Sequence, residues 1–202
     1  MSIVSTYTKL CEFAVKPLAK IKITPSAITL LSLFVGLAAG FFVYRGNFVV
    51  AFVLLFFAGI FDSFDGALAR VSGRTTKFGA VLDSTVDRIV EFGLVMGIFL
   101  FISHTSPQDT KNAAIWAMTA YSASVWVSYV KARAEGVGVS PAVGILQRRH
   151  RIILTGLAVL LAAISKNWAT KIFFCLFYIL TAGCVITVIQ RLVRTKNFSN
   201  RR

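Results

Sequence analysis

Six runs of apolar residues occupy 26–44, 48–70, 79–103, 112–133, 148–165 and 168–193. Crossing a hydrocarbon core as a helix takes roughly 20 such residues. The pattern therefore predicts an all-α integral membrane protein of six transmembrane helices, forming a single domain over 1–202. The connections at 45–47, 71–78, 104–111 and 165–167 are short. The longest, 134–147, contains Gly136, Gly138, Pro141 and Gly144. Residues 1–22 follow another pattern. Ile3, Val4, Tyr7, Leu10, Cys11, Ala14, Val15 and Leu18 recur at helical spacing among Lys9, Lys16, Lys20 and Lys22. With no continuous apolar stretch, this is not a cleavable signal. It predicts an amphipathic juxtamembrane helix lying on the membrane surface.

Composition agrees. The chain is 56% hydrophobic and its mean hydropathy is +0.75, whereas soluble domains run nearer ~45–50% apolar. Its 22 Lys and Arg against 8 Asp and Glu, a net charge of +14, would suggest nucleic acid in a soluble protein. Basic loops beside apolar helices instead face anionic lipid, so membrane lipid and no nucleic acid is the expected partner. The basic residues are asymmetric. The N-terminal segment, the 71–78 loop with Arg70, the 134–147 loop with its flanks, and the C-terminal segment hold all of them except Arg45, Lys111, Lys166, Lys171 and the intramembrane Arg88. The positive-inside rule puts both termini in the cytoplasm of a multi-pass protein of the cell membrane, with the chemistry facing the cytoplasm. Cys11, Cys175 and Cys184 are odd in number and read as free thiols. Gly36-x-x-x-Gly40 and Gly93-x-x-x-Gly97 allow close helix approach, within the bundle or across a dimer seam.

The acidic residues change the picture most. Of the eight, Asp62, Asp65, Asp83, Asp87 and Glu91 fall in or at the ends of the second and third spans. An ionised carboxylate in a bilayer costs about 2.5–3.5 kcal/mol on insertion scales, and clustered ones repel. Asp62 and Asp65, three apart, share a helical face, as do Asp83 and Asp87, four apart. The short 71–78 loop lets the two faces oppose each other. The four carboxylates make a hard, oxygen-rich site suited to Mg²⁺ or Mn²⁺, and no His or Cys stands near to favour zinc. Neutralisation by Arg70, Arg74, Lys77 and Arg88 is the plainer explanation, and it accounts for one or two acids rather than four. Gly66, inside a helix beside an acid, marks a close approach to the backbone. Ala69 is small on a similar face. Arg70 can grip a phosphate with its fork, and Gly79 opens the next helix without a side chain.

These residues read Asp62-x-x-Asp65-Gly66-x-x-Ala69-Arg70, then eight residues, then Gly79-x-x-x-Asp83-x-x-x-Asp87. The pattern resembles the signature of the CDP-alcohol phosphatidyltransferases, with every position filled. The resemblance implies six transmembrane helices, a cytoplasm-facing site, a homodimer, and transfer of a phosphatidyl-type group from a CDP-lipid to an alcohol with release of CMP. It implies metal at Asp62, Asp65, Asp83 and Asp87, with Asp87 also the general base. Gly66, Ala69 and Gly79 would leave room for the nucleotide, and Arg70, Arg74 and Thr76 would meet its phosphates. Ser26 and Ala27, at the head of the first span, complete the expected CDP-lipid site, Ser26 standing where relatives often carry Asn.

A second resemblance concerns the acceptor. Ser128-Tyr129-Val-Lys131-Ala-Arg133, then Gly144 to Arg151, then Gln190-Arg191-Leu192, are similar to the phosphatidylinositol phosphate synthase branch, which includes the archaeal enzymes acting on CDP-archaeol. That implies inositol 1-phosphate as acceptor, its phosphate bound by Lys131, Arg151 and Arg191, and CDP-diacylglycerol or CDP-archaeol as donor. The chain departs from the branch at Gln147-Arg148-Arg149-His150-Arg151, where relatives carry Glu-Arg-x-x-Arg or Glu-Arg-Pro-Glu-Arg. His150 reads as a loop or interface residue. Glycerol 3-phosphate is the alternative acceptor. A divalent-cation transporter is the alternative of another class, disfavoured because a cation path gains nothing from Arg70 beside its ligands.

Overall fold

Each apolar run lies in one long helix. The computed structural model describes residues 10–17, 23–141 and 143–199, and among them no strand occurs. The helices are α1 (Pro25–Tyr44), α2 (Phe48–Val71), α3 (Lys77–Thr105), α4 (Thr110–Gly136), α5 (Arg148–Ile164) and α6 (Ala169–Ser199). Single 3₁₀ turns, Pro107–Asp109 and Lys166–Trp168, lead into α4 and α6.

Local chemistry sets the boundaries. Thr24 caps α1, its hydroxyl accepting from the Ala27 amide at 3.3 Å, with Pro25 in the first turn. Thr76 caps α3 by accepting from the Gly79 amide at 2.9 Å. Between them α2 ends in a Schellman motif. Gly73 takes φ 64°, and the Arg74 and Gly73 amides return to the Ala69 and Arg70 carbonyls at 2.9 and 3.3 Å. That tight reversal brings the start of α3 back alongside the end of α2.

The principal packings close a ring in the order α1, α2, α5, α6, α4, α3. Gly36 and Gly40 of α1 face α3. A Cβ on Gly40 would fall 2.5 Å from the Gly93 carbonyl oxygen, and one on Gly36 would fall 2.6 Å from Val90. The two glycine stripes thus pack α1 on α3 within the chain. Phe48, Phe101 and Phe173, from α2, α3 and α6, meet edge to face at 4.9 to 5.8 Å. They lie in the main apolar core, at the end of the bundle away from the aspartates.

Among the described residues, three helical segments are long and apolar enough to cross a membrane: Pro25–Tyr44, Phe48–Val71 and Lys166–Phe198. The other three long helices fall short for identifiable reasons. α3 carries Lys77, Asp83, Asp87, Arg88 and Glu91, and α4 carries several polar and charged residues. α5 has 17 residues and opens on Arg148-Arg149-His150-Arg151. Large apolar side chains such as Phe34, Phe41, Val49 and Phe56 are exposed on the outside of the bundle, as lipid contact requires.

Of the juxtamembrane helix expected over 1–22, residues 10–17 are helical, while Ile3, Val4, Tyr7 and Leu18 lie outside the described residues. Cys11 and Val15 are buried against Ile28, Ala67 and Leu68. Leu10 and Phe13 point outward. The three cysteines are free thiols, with Cys175 exposed.

Candidate metal and nucleotide site

The short α2–α3 reversal puts the two acidic faces against each other. Asp62, Asp83 and Asp87 each offer an oxygen, and these oxygens all lie within 4.8 Å of one another. Ligands about 2.0–2.1 Å from one octahedral ion are separated by roughly 3–4 Å, so the three fit a divalent cation with little adjustment. Asp65 stands outside this group. It is buried, and its Oδ2 accepts from the Thr29 hydroxyl at 2.6 Å. Thr29 was not singled out in the sequence. Its only mark there is a hydroxyl one turn after Ser26 in an apolar run.

A cation already occupies part of the cluster. Arg148, the first residue of α5, extends one guanidinium nitrogen, Nη2, to Asp62 Oδ1 at 2.6 Å and to Asp87 Oδ1. The site therefore draws positive charge, as a metal centre of all-oxygen donors does.

A cavity of about 400 Å³ opens on the Asp65 and Asp83 side. Seven of the eight residues expected to meet the CDP-lipid line it: Ser26, Gly66, Ala69, Arg70, Arg74, Thr76 and Gly79. Ala27 does not, being exposed at the start of α1. Arg70 also pairs with Glu12 of the 10–17 segment at 3.2 Å, which holds its guanidinium at the cavity edge.

A second cavity lies on the Asp62 and Asp87 side, smaller at about 50 Å³, with Arg88, Glu91, Arg148 and Arg151 in its wall. Glu91 is the hub of this wall. Its Oε1 accepts from Ser124 at 2.6 Å and from Arg151 Nε at 2.9 Å, and its Oε2 lies 3.2 Å from Arg88 Nη1. Arg88 also donates to Ser128 at 2.6 Å. Three arginine nitrogens here are buried without a partner: Arg88 Nε, Arg148 Nε and Arg151 Nη2. Buried donors of this kind ordinarily find an acceptor. Glu91 Oε2 is the one buried acidic oxygen of this wall likewise without a hydrogen bond, and the surplus of donors suits an anion. The helix adds to this. α5 has four basic residues and no acidic one in its first turn, against the polarity its own N-terminus prefers unless an anion is present.

The expected acceptor residues are only partly brought together. Arg151, 2% exposed, lines the second cavity. Lys131 is half-exposed and pairs with Glu135, one turn away, at 3.7 Å. Arg191 clamps the loop before α5, donating from Nε to the Val143 carbonyl at 3.0 Å and from Nη1 to the Val127 carbonyl. Thr187 and Gln190 hold the same loop through the Leu146 and Ile145 amides. His150 is exposed, its ring nitrogen 2.8 Å from the Ile145 carbonyl oxygen. Glu91, Arg88 and Arg148 carry the geometry without having been assigned to the acceptor in the sequence. The available signal was an intramembrane acid three residues after an intramembrane arginine.

Residues 22–194 match the model of the CDP-alcohol phosphatidyltransferase family. The chain is 36% identical to the phosphatidylinositol phosphate synthase of Corynebacterium glutamicum, over 90% of this chain and 82% of that one. It is 35% identical to the archaetidylinositol phosphate synthase of Pyrococcus horikoshii, over 90% and 88%. In three dimensions it is similar to crystal structures of Mycobacterium tuberculosis phosphatidylinositol phosphate synthase. The one with CDP-DAG bound has a TM-score of 0.81, 27% identity, and coverage of 93% of this chain and 94% of that chain. The one in complex with manganese and citrate has a TM-score of 0.80, 28% identity, and coverage of 92% and 88%.

Proposed function

The chain belongs to the CDP-alcohol phosphatidyltransferase family, and on that premise we propose that it transfers a phosphatidyl or archaetidyl group from a CDP-lipid to the hydroxyl of inositol 1-phosphate, releasing CMP. The observation that carries this reading is the position of the carboxylates between two cavities of different character. One is lined by the nucleotide-side signature residues. The other, small and largely apolar, has Asp87 and three arginines, Arg88, Arg148 and Arg151, among its lining residues. A transfer reaction needs that arrangement, with donor and acceptor meeting at one charged centre. The names of the bacterial and archaeal relatives support an inositol phosphate acceptor.

Asp62, Asp83 and Asp87 would hold Mg²⁺ or Mn²⁺, with Asp65, oriented by Thr29, completing the set. When bound, the ion supplies neutralisation of the pyrophosphate and of the charge left on CMP. The protein does the rest. Gly66, Ala69 and Gly79 admit the cytidine nucleotide, and Ser26 flanks it, with Ala27 outside the cavity. Arg70, Arg74 and Thr76 meet its phosphates. Asp87 takes the proton of the acceptor hydroxyl as that oxygen bonds to the lipid-side phosphorus and the bond to CMP breaks. Arg151 binds the acceptor phosphate from within the cavity wall. Lys131, half-exposed on α4, would draw the anion in from outside, and the buried Arg191 on α6 would add positive charge behind it.

The fold in the membrane extends the reading. All six long helices span the bilayer, the less apolar α3, α4 and α5 being sheltered by their neighbours in the ring, as polar intramembrane helices generally are. The excess of Lys and Arg on one side supports cytoplasmic termini and a cytoplasmic site in the cell membrane. The enzyme works as a homodimer forming a single catalytic domain per chain, in line with its family.

The test is CMP release by the purified protein from CDP-diacylglycerol. Release with inositol 1-phosphate and Mg²⁺ is expected, stopping on addition of EDTA and returning with excess Mg²⁺ or Mn²⁺. Release with glycerol 3-phosphate and none with inositol 1-phosphate would overturn the acceptor, and metal-independent release would overturn the role of the carboxylates.

A further inference from the structure

Arg148 is bound by two of the three carboxylates that would hold a divalent ion. Its Nη2 spans Asp62 Oδ1 and Asp87 Oδ1, two members of the three-carboxylate group. A guanidinium and a divalent cation drawn to the same two carboxylates repel each other at close range. Metal entry therefore weakens the hold of Asp62 and Asp87 on Arg148.

Its next partner is set by where it is anchored. Arg148 begins α5 and sits in the wall of the small cavity with Arg88 and Arg151. Those two are already tied to Glu91, which has Ser124 and both arginines around it. Among the described residues, the only acid in this wall outside the metal cluster is Glu91, so none remains to receive Arg148. Its Nε is buried without a partner even while Nη2 holds the aspartates. The anion that reaches this wall is one brought in by substrate.

We propose that Arg148 is an exchange cation: it neutralises Asp62 and Asp87 while metal is absent, and passes to the phosphate of the acceptor once metal displaces it. The step breaks two ion pairs and forms new ones, with no covalent change. Two consequences follow. Without metal, Asp87 is engaged by Arg148 and is not available to an acceptor hydroxyl. With metal, a planar fork suited to a phosphate is released into the cavity, so metal and acceptor phosphate bind cooperatively. By linkage, each tightens the other by the same factor. The second consequence rests on the function proposed above. The first concerns metal alone.

The test is Mn²⁺ binding to the full-length protein in lipid nanodiscs, read from the electron paramagnetic resonance signal of free Mn²⁺. The wild type, R148Q and R148K are compared, each with and without inositol 1-phosphate. Removing the competing cation is expected to tighten Mn²⁺ binding in R148Q on the order of tenfold, within the usual span of coupling between sites. Inositol 1-phosphate is expected to tighten Mn²⁺ binding in the wild type and to have no effect in R148Q. R148K keeps the charge but loses the fork, and its Mn²⁺ affinity should fall between the other two, so it decides the matter if R148Q does not fold. Equal or weaker Mn²⁺ binding in both variants would overturn the exchange. Coupling that persists unchanged in R148Q would overturn the transfer to phosphate. Failure of the acceptor reading shows separately, as a wild type that releases no CMP with inositol 1-phosphate, while the Mn²⁺ affinity of the variants still decides whether exchange occurs.

Discussion

Replacing Asp87 by Asn is expected to lower kcat by about 10²–10⁴-fold, the range attributed to a positioned general acid or base, while CDP-lipid still binds. The geometry separates the two effects. Asp87 is buried on the arginine side of the cluster, away from the cavity that Gly66, Ala69, Arg70 and Gly79 line. Asn keeps the shape of the side chain and one acceptor oxygen but cannot accept the proton. It also leaves Arg148 with Asp62 as its remaining partner, so the site is not emptied of compensating charge. Steady-state CMP release gives kcat, and binding of the CDP-lipid to the variant gives the nucleotide-side affinity. Wild-type turnover in the Asn variant would remove Asp87 from the proton-transfer role. Lost lipid binding with unaltered chemistry would assign it to the nucleotide.

The second large effect is expected at Arg151. It is almost fully buried and pairs with Glu91 at 2.9 Å. Truncation to Ala would leave that carboxylate with Ser124 and the more distant Arg88. Breaking a buried pair from one side costs about 3–5 kcal/mol, so R151A should unfold at markedly lower temperature. In any folded fraction the KM for inositol 1-phosphate should rise far more than the KM for CDP-lipid. R151K, which preserves the charge, should recover stability better than it recovers acceptor binding, because an ammonium lacks the planar fork that presents separate edges to Glu91 and a phosphate. K131A is the contrast. An exposed pair one helical turn apart is worth only ~0.3–0.5 kcal/mol, so its melting temperature should stay close to wild type. Equal destabilisation of R151A and K131A would show that the Arg151–Glu91 pair contributes little.

Much of this site was legible in the sequence because its signal is local. Asp62 and Asp65 share a helical face by spacing alone, as do Asp83 and Asp87, and the short link between the spans brings the faces together. The nucleotide-side glycines and Ala69 were legible for the same reason: small residues at fixed distances from the acids. Helix boundaries rest on equally local chemistry, the Thr24-Pro25 start, the Gly73 turn and the Thr76 cap, though the apolar runs did not mark the last two and set the ends of these helices at 70 and 79.

What could not be read is what tertiary packing decides. Arg148 reaches Asp62 across 86 positions of sequence, a contact that exists only because α5 packs on α2. Glu91 was visible as an intramembrane acid, but its partners come from α4 and α5. Arg191 sits in a motif that suggests a phosphate ligand, yet two backbone carbonyls occupy its Nε and Nη1, and a loop's hydrogen bonds leave no mark in composition. The glycine stripes allowed two roles, and the approach of Gly40 to Gly93 selects packing inside the chain. Hydropathy and length alone recover three spanning segments among the described residues; α5, with 17 residues, is just too short, and α4 is interrupted by polar side chains.

The most direct measurement is the identity of the lipid formed when the purified protein is given CDP-diacylglycerol, Mg²⁺, and equal amounts of inositol 1-phosphate and glycerol 3-phosphate in one reaction, with products separated by mass. The expected result is phosphatidylinositol phosphate as the dominant lipid, formed in step with CMP and absent from D87N. Phosphatidylglycerol phosphate as the main product, or a lipid product that forms equally well in D87N, would contradict it.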